Sequence, residues 1–149
     1  MDDEVATWLA SSNFDYGRGG YEADSITLHT TEGAYDGAVS WLRNPSSRAS
    51  AHYVVSETGS RIAQLVREKD TAWTNGNYES NQRNVTIEQE GYAALDQFSA
   101  GLYQAVGELV ARICKRHGID PVVHRTVIGH YDVAGATHTD PGPHYDMDR

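Results

Sequence analysis

Three side chains in this 149-residue sequence are of the types a catalytic divalent metal uses: His29, His130 and Asp140. His29 closes the β-rich run "SITLH" and opens into Thr-Thr-Glu-Gly, while His130 follows Ile128-Gly129 at the end of another extended run. Strand ends that open into glycine-containing loops are where α/β domains place functional groups. Asp140 lies in "HTDPG", ahead of a proline that restricts the local backbone. A catalytic zinc takes three protein ligands, imidazoles with a carboxylate or thiolate, and leaves a fourth position for water. Two neutral imidazoles and one carboxylate leave a net positive centre, able to bring the pKa of that water toward about 7. Each residue alone has a plainer role: a core histidine, a turn histidine, an Asp-Pro turn opener. His52, His124, His138 and His144 compete for the same ion, and such a ligand set accepts several first-row metals.

Glu88 and Glu90 share one face of the run "NVTIEQEG", because side chains repeat every two residues along a strand, roughly 6.5–7 Å apart. One of them as a general base beside a metal is the first reading. The pair as a metal-free glycosidase is the second, since inverting enzymes hold their carboxyls about 6.5–9.5 Å apart. A solvated edge-strand face is the plain alternative. His138, in the same late loop as Asp140, could donate to a developing oxyanion when protonated. Trp73 in "TAWTNGN", with His52 and Glu90, is a candidate for the lining of a substrate groove, although a lone tryptophan serves core packing equally well. Trp41 and Cys114 fall on or beside helical stripes and read as structural.

The elements that must position these groups follow from periodicity. Tyr35, Ala38, Val39 and Leu42 are spaced as one helix face, and Asn44-Pro45 ends that helix. "AHYVVSETGSRIAQLV" reads as a hairpin with its turn at Glu57 to Ser60. Phe98, Leu102, Ala105, Val106, Leu109, Val110 and Ile113 predict a long helix from about Gln97 to His117, stopped by Gly118. "VVHRTVIGH" reads as extended, the tail beyond Tyr131 as loop, and the first 24 residues as an irregular arm rich in Asn and Gly. Strands alternating with helices predict an α/β class fold, a mixed central β-sheet flanked by helices, formed as one domain over residues 1–149.

Composition narrows the function. There are 12 Lys+Arg against 21 Asp+Glu, a formal charge of −9, which argues against nucleic acid because phosphate binding needs a basic face. No apolar run approaches the roughly 20 residues of a membrane span. The single cysteine, Cys114, excludes an intrachain disulfide. The acidic start lacks a charged-then-apolar leader pattern.

The blocks "ITLHTTEG", "SAHYVVSETGSRIAQLV", "AWTNGN", "VTIEQEG" and "IGHYDVAGATHTDPGPHYD" occur in that order. Together they resemble the zinc-dependent type 2 N-acetylmuramoyl-L-alanine amidases, a superfamily that takes in phage endolysins, wall-recycling amidases and the peptidoglycan recognition proteins. The likeness runs from about Ser25 to Tyr145, and its last block is its most specific part. It implies Zn2+ held by His29, His130 and Asp140 at one end of the sheet, Glu88 as proton carrier, and His138 as the group that steadies the oxyanion. It implies hydrolysis of the amide between N-acetylmuramic acid and L-alanine in peptidoglycan. Ala51 stands where other branches carry a catalytic tyrosine, so no tyrosine role is carried over. Thr74 stands where many relatives have histidine, and Asp140 where some use cysteine. The resulting expectation is a monomeric catalytic module of a phage endolysin. It is made in the host cytoplasm without a signal peptide, acts on the bacterial wall after release, and has a wall-binding domain elsewhere in a longer parent. A cytosolic anhydro-muropeptide recycling amidase and a non-catalytic peptidoglycan-binding module are the alternatives.

Overall fold

The computed structural model describes residues Met1–Arg149. In chain order its elements are β1 (Thr7–Trp8), β2 (Phe14–Asp15), β3 (Ser25–Thr30), α1 (Tyr35–Arg43), β4 (Tyr53–Val55), β5 (Ile62–Gln64), β6 (Thr71–Ala72), α2 (Tyr78–Arg83), β7 (Asn84–Gln89), α3 (Ala100–His117) and β8 (Val127–Gly129). Short 3-10 turns sit at Pro45–Ser47 and His130–Asp132. Six strands form one mixed sheet in the order β1-β5-β4-β7-β3-β8, and β2 pairs with β6 apart from it. The β4–β5 hairpin is antiparallel; β7 and β8 both run parallel to β3, and β4 runs parallel to β7.

Strand alternation sorts side chains to two faces. Ile26, Leu28, Tyr53, Val55, Val85 and Ile87 join Leu102, Val106, Leu109 and Ile113 of α3 in the larger core. The other face is covered in part by α1, whose Tyr35, Val39 and Leu42 pack on Ala51, Val54, Ala63 and Leu65. Removing a fully buried leucine such as Leu109 to alanine costs about 2–5 kcal/mol in cores of this kind. Beyond α1 that second face carries polar residues: Thr27, His29, Thr86 and Glu88. The functional groups stand where the apolar cover ends.

The structure departs from the sequence expectations in particular places. α3 starts at Ala100, not near Gln97, because Ser99 caps it by accepting the Leu102 N–H at 3.0 Å. It ends as expected at Gly118, whose φ of +67° suits glycine. β7 is no edge strand with a solvated face: it lies between β4 and β3, and Thr86 is fully buried. The run 122–130 is extended only at β8, since the Arg125 and Thr126 N–H groups both turn back to the Val122 carbonyl. The N-terminal arm contributes β1 to the sheet edge and β2 to the small pair, and it buries Asp3. Trp41 is 57% exposed on the outer side of α1, so its expected structural role fails; Cys114 is buried in the α3 core.

Candidate active site

Parallel register assembles the site. β3 lies between β7 and β8, so the ends of three parallel strands open on one side of the sheet. His29 is in register with Glu88, and Leu28 with Gly129, which brings His130 level with His29 across the strand pair. Neighbouring strands stand about 4.8 Å apart, and the two imidazole centroids are 4.5 Å apart. Gly129 leaves room for the next loop: a Cβ there would meet the Tyr131 ring at 2.6 Å and Pro141 at 3.0 Å, so those side chains would have to shift. The loop beyond His130 then folds back, and the Tyr131 N–H donates to the Asp140 carbonyl at 3.4 Å.

Asp140 closes the cluster. Its Oδ2 lies 3.0 Å from His29 Nδ1 and its Oδ1 lies 3.1 Å from His130 Nδ1, with the Thr30 N–H donating to Oδ2 at 3.4 Å. The donor atoms of the three residues all lie within 4.8 Å of one another, and all three residues are buried. Burial pushes the Asp140 carboxyl up, but the His130 and His29 contacts outweigh it and hold the group below the usual carboxylate range. Burial holds His29 below its ordinary value, against the opposing pull of Asp140.

This donor set fits a divalent ion. The Nε2 atoms of His29 and His130 face carbonyl oxygens of Asn75 at 2.8 and 3.2 Å, and both Nδ1 atoms face the Asp140 carboxylate. A neutral imidazole has one N–H and can satisfy only one of two acceptors. A cation shared by both Nδ1 atoms and the carboxylate satisfies the rest. Zinc bonds of about 2.0–2.2 Å place tetrahedral donors roughly 3.3 Å apart, close to the 3.0 and 3.1 Å that separate the Asp140 oxygens from the two Nδ1 atoms.

The cluster lies on a cavity of about 710 Å³ whose lining also includes Glu32, Glu88, His138 and the Ala93-Ala94 loop. Glu88 is half-buried, and its Oε2 is shut off from solvent with no hydrogen-bond partner. Burial, followed by the charges of Asp140 and Glu32, raises its pKa well above the ordinary glutamate value. His138 is exposed and its ring stacks on His130, with centroids 4.7 Å apart and planes 8° apart. Such a site offers a metal position, a carboxylate inclined to take up a proton, and a nearby imidazole at the mouth.

The remaining sequence candidates are engaged elsewhere. His52 is fully buried between Thr86 and the Asp70 carbonyl; burial and then Arg18 push it down to about 3, so it is a neutral core residue. The Glu90 carboxylate accepts the Tyr35 N–H at 2.9 Å and the Glu57 N–H at 2.7 Å, tying α1 and the hairpin turn to the end of β7. That removes it from the cavity and from any pairing with Glu88. The Trp73 indole N–H donates to Asp15 at 3.1 Å, beside β2 and β6. Of the competing histidines, His124 pairs with Asp132 at 3.0 Å, and His144 is exposed 3.8 Å from Asp96. Sequence reasoning missed Asn75 and Glu32. Glu32, at a φ of +50°, accepts the Ala93 N–H at 2.7 Å and so holds the cavity's rim. The Asn75-Gly76-Asn77 run, a composition typical of turns, is the sequence feature that could have drawn attention to Asn75.

Comparison with known proteins gives the family and the fold. The Amidase_2 family model, described as N-acetylmuramoyl-L-alanine amidase, matches residues 19–143. The chain belongs to this family. It is 35% identical over 121 residues to N-acetylmuramoyl-L-alanine amidase A of Achromobacter lyticus, covering 80% of this chain and 67% of that protein. The fold of this amidase superposes on AmpD with a TM-score of 0.81 at 22% identity, over 99% of this chain and 96% of that one. AmiD from E. coli, solved with anhydro-N-acetylmuramic acid-L-Ala-D-γ-Glu-L-Lys, gives a TM-score of 0.73 at 23% identity, over 91% of this chain and 63% of AmiD. Both structural likenesses concern the fold of the amidase.

Proposed function

We propose that this amidase is zinc-dependent and acts on polymeric peptidoglycan as the catalytic module of a phage endolysin. It hydrolyses the amide that joins the lactyl group of N-acetylmuramic acid to L-alanine. The observation that carries the reading is the meeting of His29, His130 and Asp140 beside the unpartnered oxygen of Glu88 in one cavity. His29 and His130, with the Asp140 carboxylate, would hold the ion. When bound, a divalent ion supplies Lewis acidity, polarising the scissile carbonyl and activating water near neutral pH.

The chain's own residues do the rest. Glu88, fixed by β7 and raised in pKa by burial, takes a proton from the attacking water and passes it to the departing alanine nitrogen. His138, stacked on His130 at the cavity mouth, donates an N–H to the developing oxyanion in its cationic form. The "SAH" block, Glu88 and Asp140 bring the chain nearer the recycling-type and phage-type branches alike than the peptidoglycan recognition proteins, so the choice between those two branches rests on the substrate. A chain of formal charge −9 gains little attraction to an anionic wall, which fits a separate wall-binding domain that raises local concentration.

Digestion of purified peptidoglycan tests the reaction. New alanine amino termini without new reducing sugar are expected; reducing sugar without amines would overturn it in favour of glycoside cleavage. A recycling role predicts faster cleavage of soluble anhydro-muropeptides than of polymer, and that result would replace the endolysin assignment.

A further inference from the structure

Asn75 lies in the loop between β6 and α2 and is 2% exposed. It touches both histidines of the cluster with different atoms. Its side-chain Oδ1 accepts from His29 Nε2 at 2.8 Å, and its backbone carbonyl accepts from His130 Nε2 at 3.2 Å. A backbone carbonyl has no donor form, so the His130 contact requires a hydrogen on Nε2. The side-chain orientation is set from the other end, where Asn75 Nδ2 donates to the hydroxyls of Ser80 at 2.8 Å and Thr27 at 3.4 Å.

Asn75 is itself held in place. Its N–H and that of Thr74 donate to the Asn81 side-chain oxygen at 2.7 and 3.2 Å, and Asn77 caps α2 by accepting the Ser80 N–H at 2.9 Å. The six-residue α2 has no long apolar stripe. Its polar side chains anchor the turn that carries Asn75.

We infer that Asn75 is a positioning residue that holds both imidazoles as Nε2–H tautomers and aims both Nδ1 lone pairs at the point they share with Asp140. The second hydrogen bond of a metal-binding imidazole fixes its tautomer and ring angle. Here one residue supplies that bond to two rings, by side chain to one and by main chain to the other. A change at Asn75 therefore reaches His29 directly, whereas His130 keeps its acceptor whatever side chain stands at position 75. This inference rests on the metal-centre reading above.

The test combines zinc affinity, measured by competition with a chromophoric chelator, and imidazole 15N–1H correlation spectra of the zinc-loaded protein. The wild type should show both histidines bound through Nδ1, with two protected Nε2–H protons. Asn75→Ala should weaken zinc binding about 10–100-fold and expose the His29 Nε2–H to solvent exchange while the His130 Nε2–H stays protected. Asn75→Asp, which keeps an acceptor, should return the affinity close to wild type. The proposal is overturned by coordination through Nε2 of either ring, or by an Asn75→Ala protein with unchanged affinity and exchange. Should Asn75→Ala not fold, the wild-type spectrum still decides the tautomers. A wild type that binds no zinc at all would instead end the metal-centre reading.

Discussion

Glu68 and Glu88 sit at opposite ends of the same sheet, in surroundings that differ atom by atom. At the end where α3 terminates, both oxygens of Glu68 are filled: Tyr53 Oη–H donates at 2.6 Å, Arg116 donates to both oxygens, and His117 Nε2 lies 2.7 Å away. Burial pushes the Glu68 carboxyl up, but these donors, with the Arg116 charge, bring it down to about 2. Asp3 is tied alongside by Arg112 and Arg116, which pins the N-terminal arm to α3. At the other end Glu88 has a buried oxygen with no partner, its charged neighbours are Asp140 and Glu32, and its pKa goes up. One carboxylate is saturated and holds the fold together; the other is left short of donors and suits proton transfer. The side chain is the same, and the donors around it decide the role.

Substitutions at the two ends should therefore fail in different ways. The largest effect is expected at Glu88. Glu88→Gln should lower turnover on peptidoglycan about 10²–10⁴-fold while metal analysis still finds the wild-type zinc content; full turnover would reassign the proton carrier. Glu68→Ala should do the reverse, costing about 3 kcal/mol because it leaves the buried Tyr53 hydroxyl without its acceptor and takes from Arg116 one of its two carboxylate partners. For a chain of this size that is a fall in Tm of roughly 6–12 °C, with zinc content and turnover at 25 °C retained.

The pH dependence separates the pair by sign. Glu68 has a folded pKa below its unfolded value of about 4.5, so its stabilisation is present above that pH and is lost as pH falls toward about 2. Glu88 has a raised folded pKa, so its ionisation opposes folding as pH rises above the unfolded value. In metal-free protein, Glu88→Gln should raise Tm at pH 7 and lose that gain below about pH 4, whereas Glu68→Gln should lower Tm at pH 7 and lose that penalty on acidification. Parallel melts across pH check both; equal signs would break the contrast. The smallest effect is expected away from either end, where Trp41→Gln on the exposed face of α1 should change stability by less than about 0.5 kcal/mol.

Legibility in the sequence followed the range of the interactions. "SITLH", the α1 stripe and the α3 stripe with its Gly118 stop are local patterns, and they appear as β3, α1 and α3. The parallel placement of β3 between β7 and β8 has no local signature, yet it turns three distant strand ends into one site. β1 and β2 are two residues each, too short for any periodicity to register. α2, "YESNQR", forms on a polar cap at Asn77, so hydrophobic spacing gave no sign of it. Glu90 and His52 misled because the types were right for chemistry while their partners, the Glu57 and Tyr35 N–H groups and the Asp70 carbonyl, lie far away in sequence. The Glu68 cluster joins residues 15 to 49 positions apart, and its saturation is visible only in three dimensions.

Titrating chelator-stripped protein with Zn2+, while following bound metal and peptidoglycan cleavage together, tests the central claim most directly. Activity should rise in step with metal and level off at one ion per chain, and Asp140→Ala should abolish both. Undiminished cleavage by the stripped protein, or full zinc binding without Asp140, would contradict it.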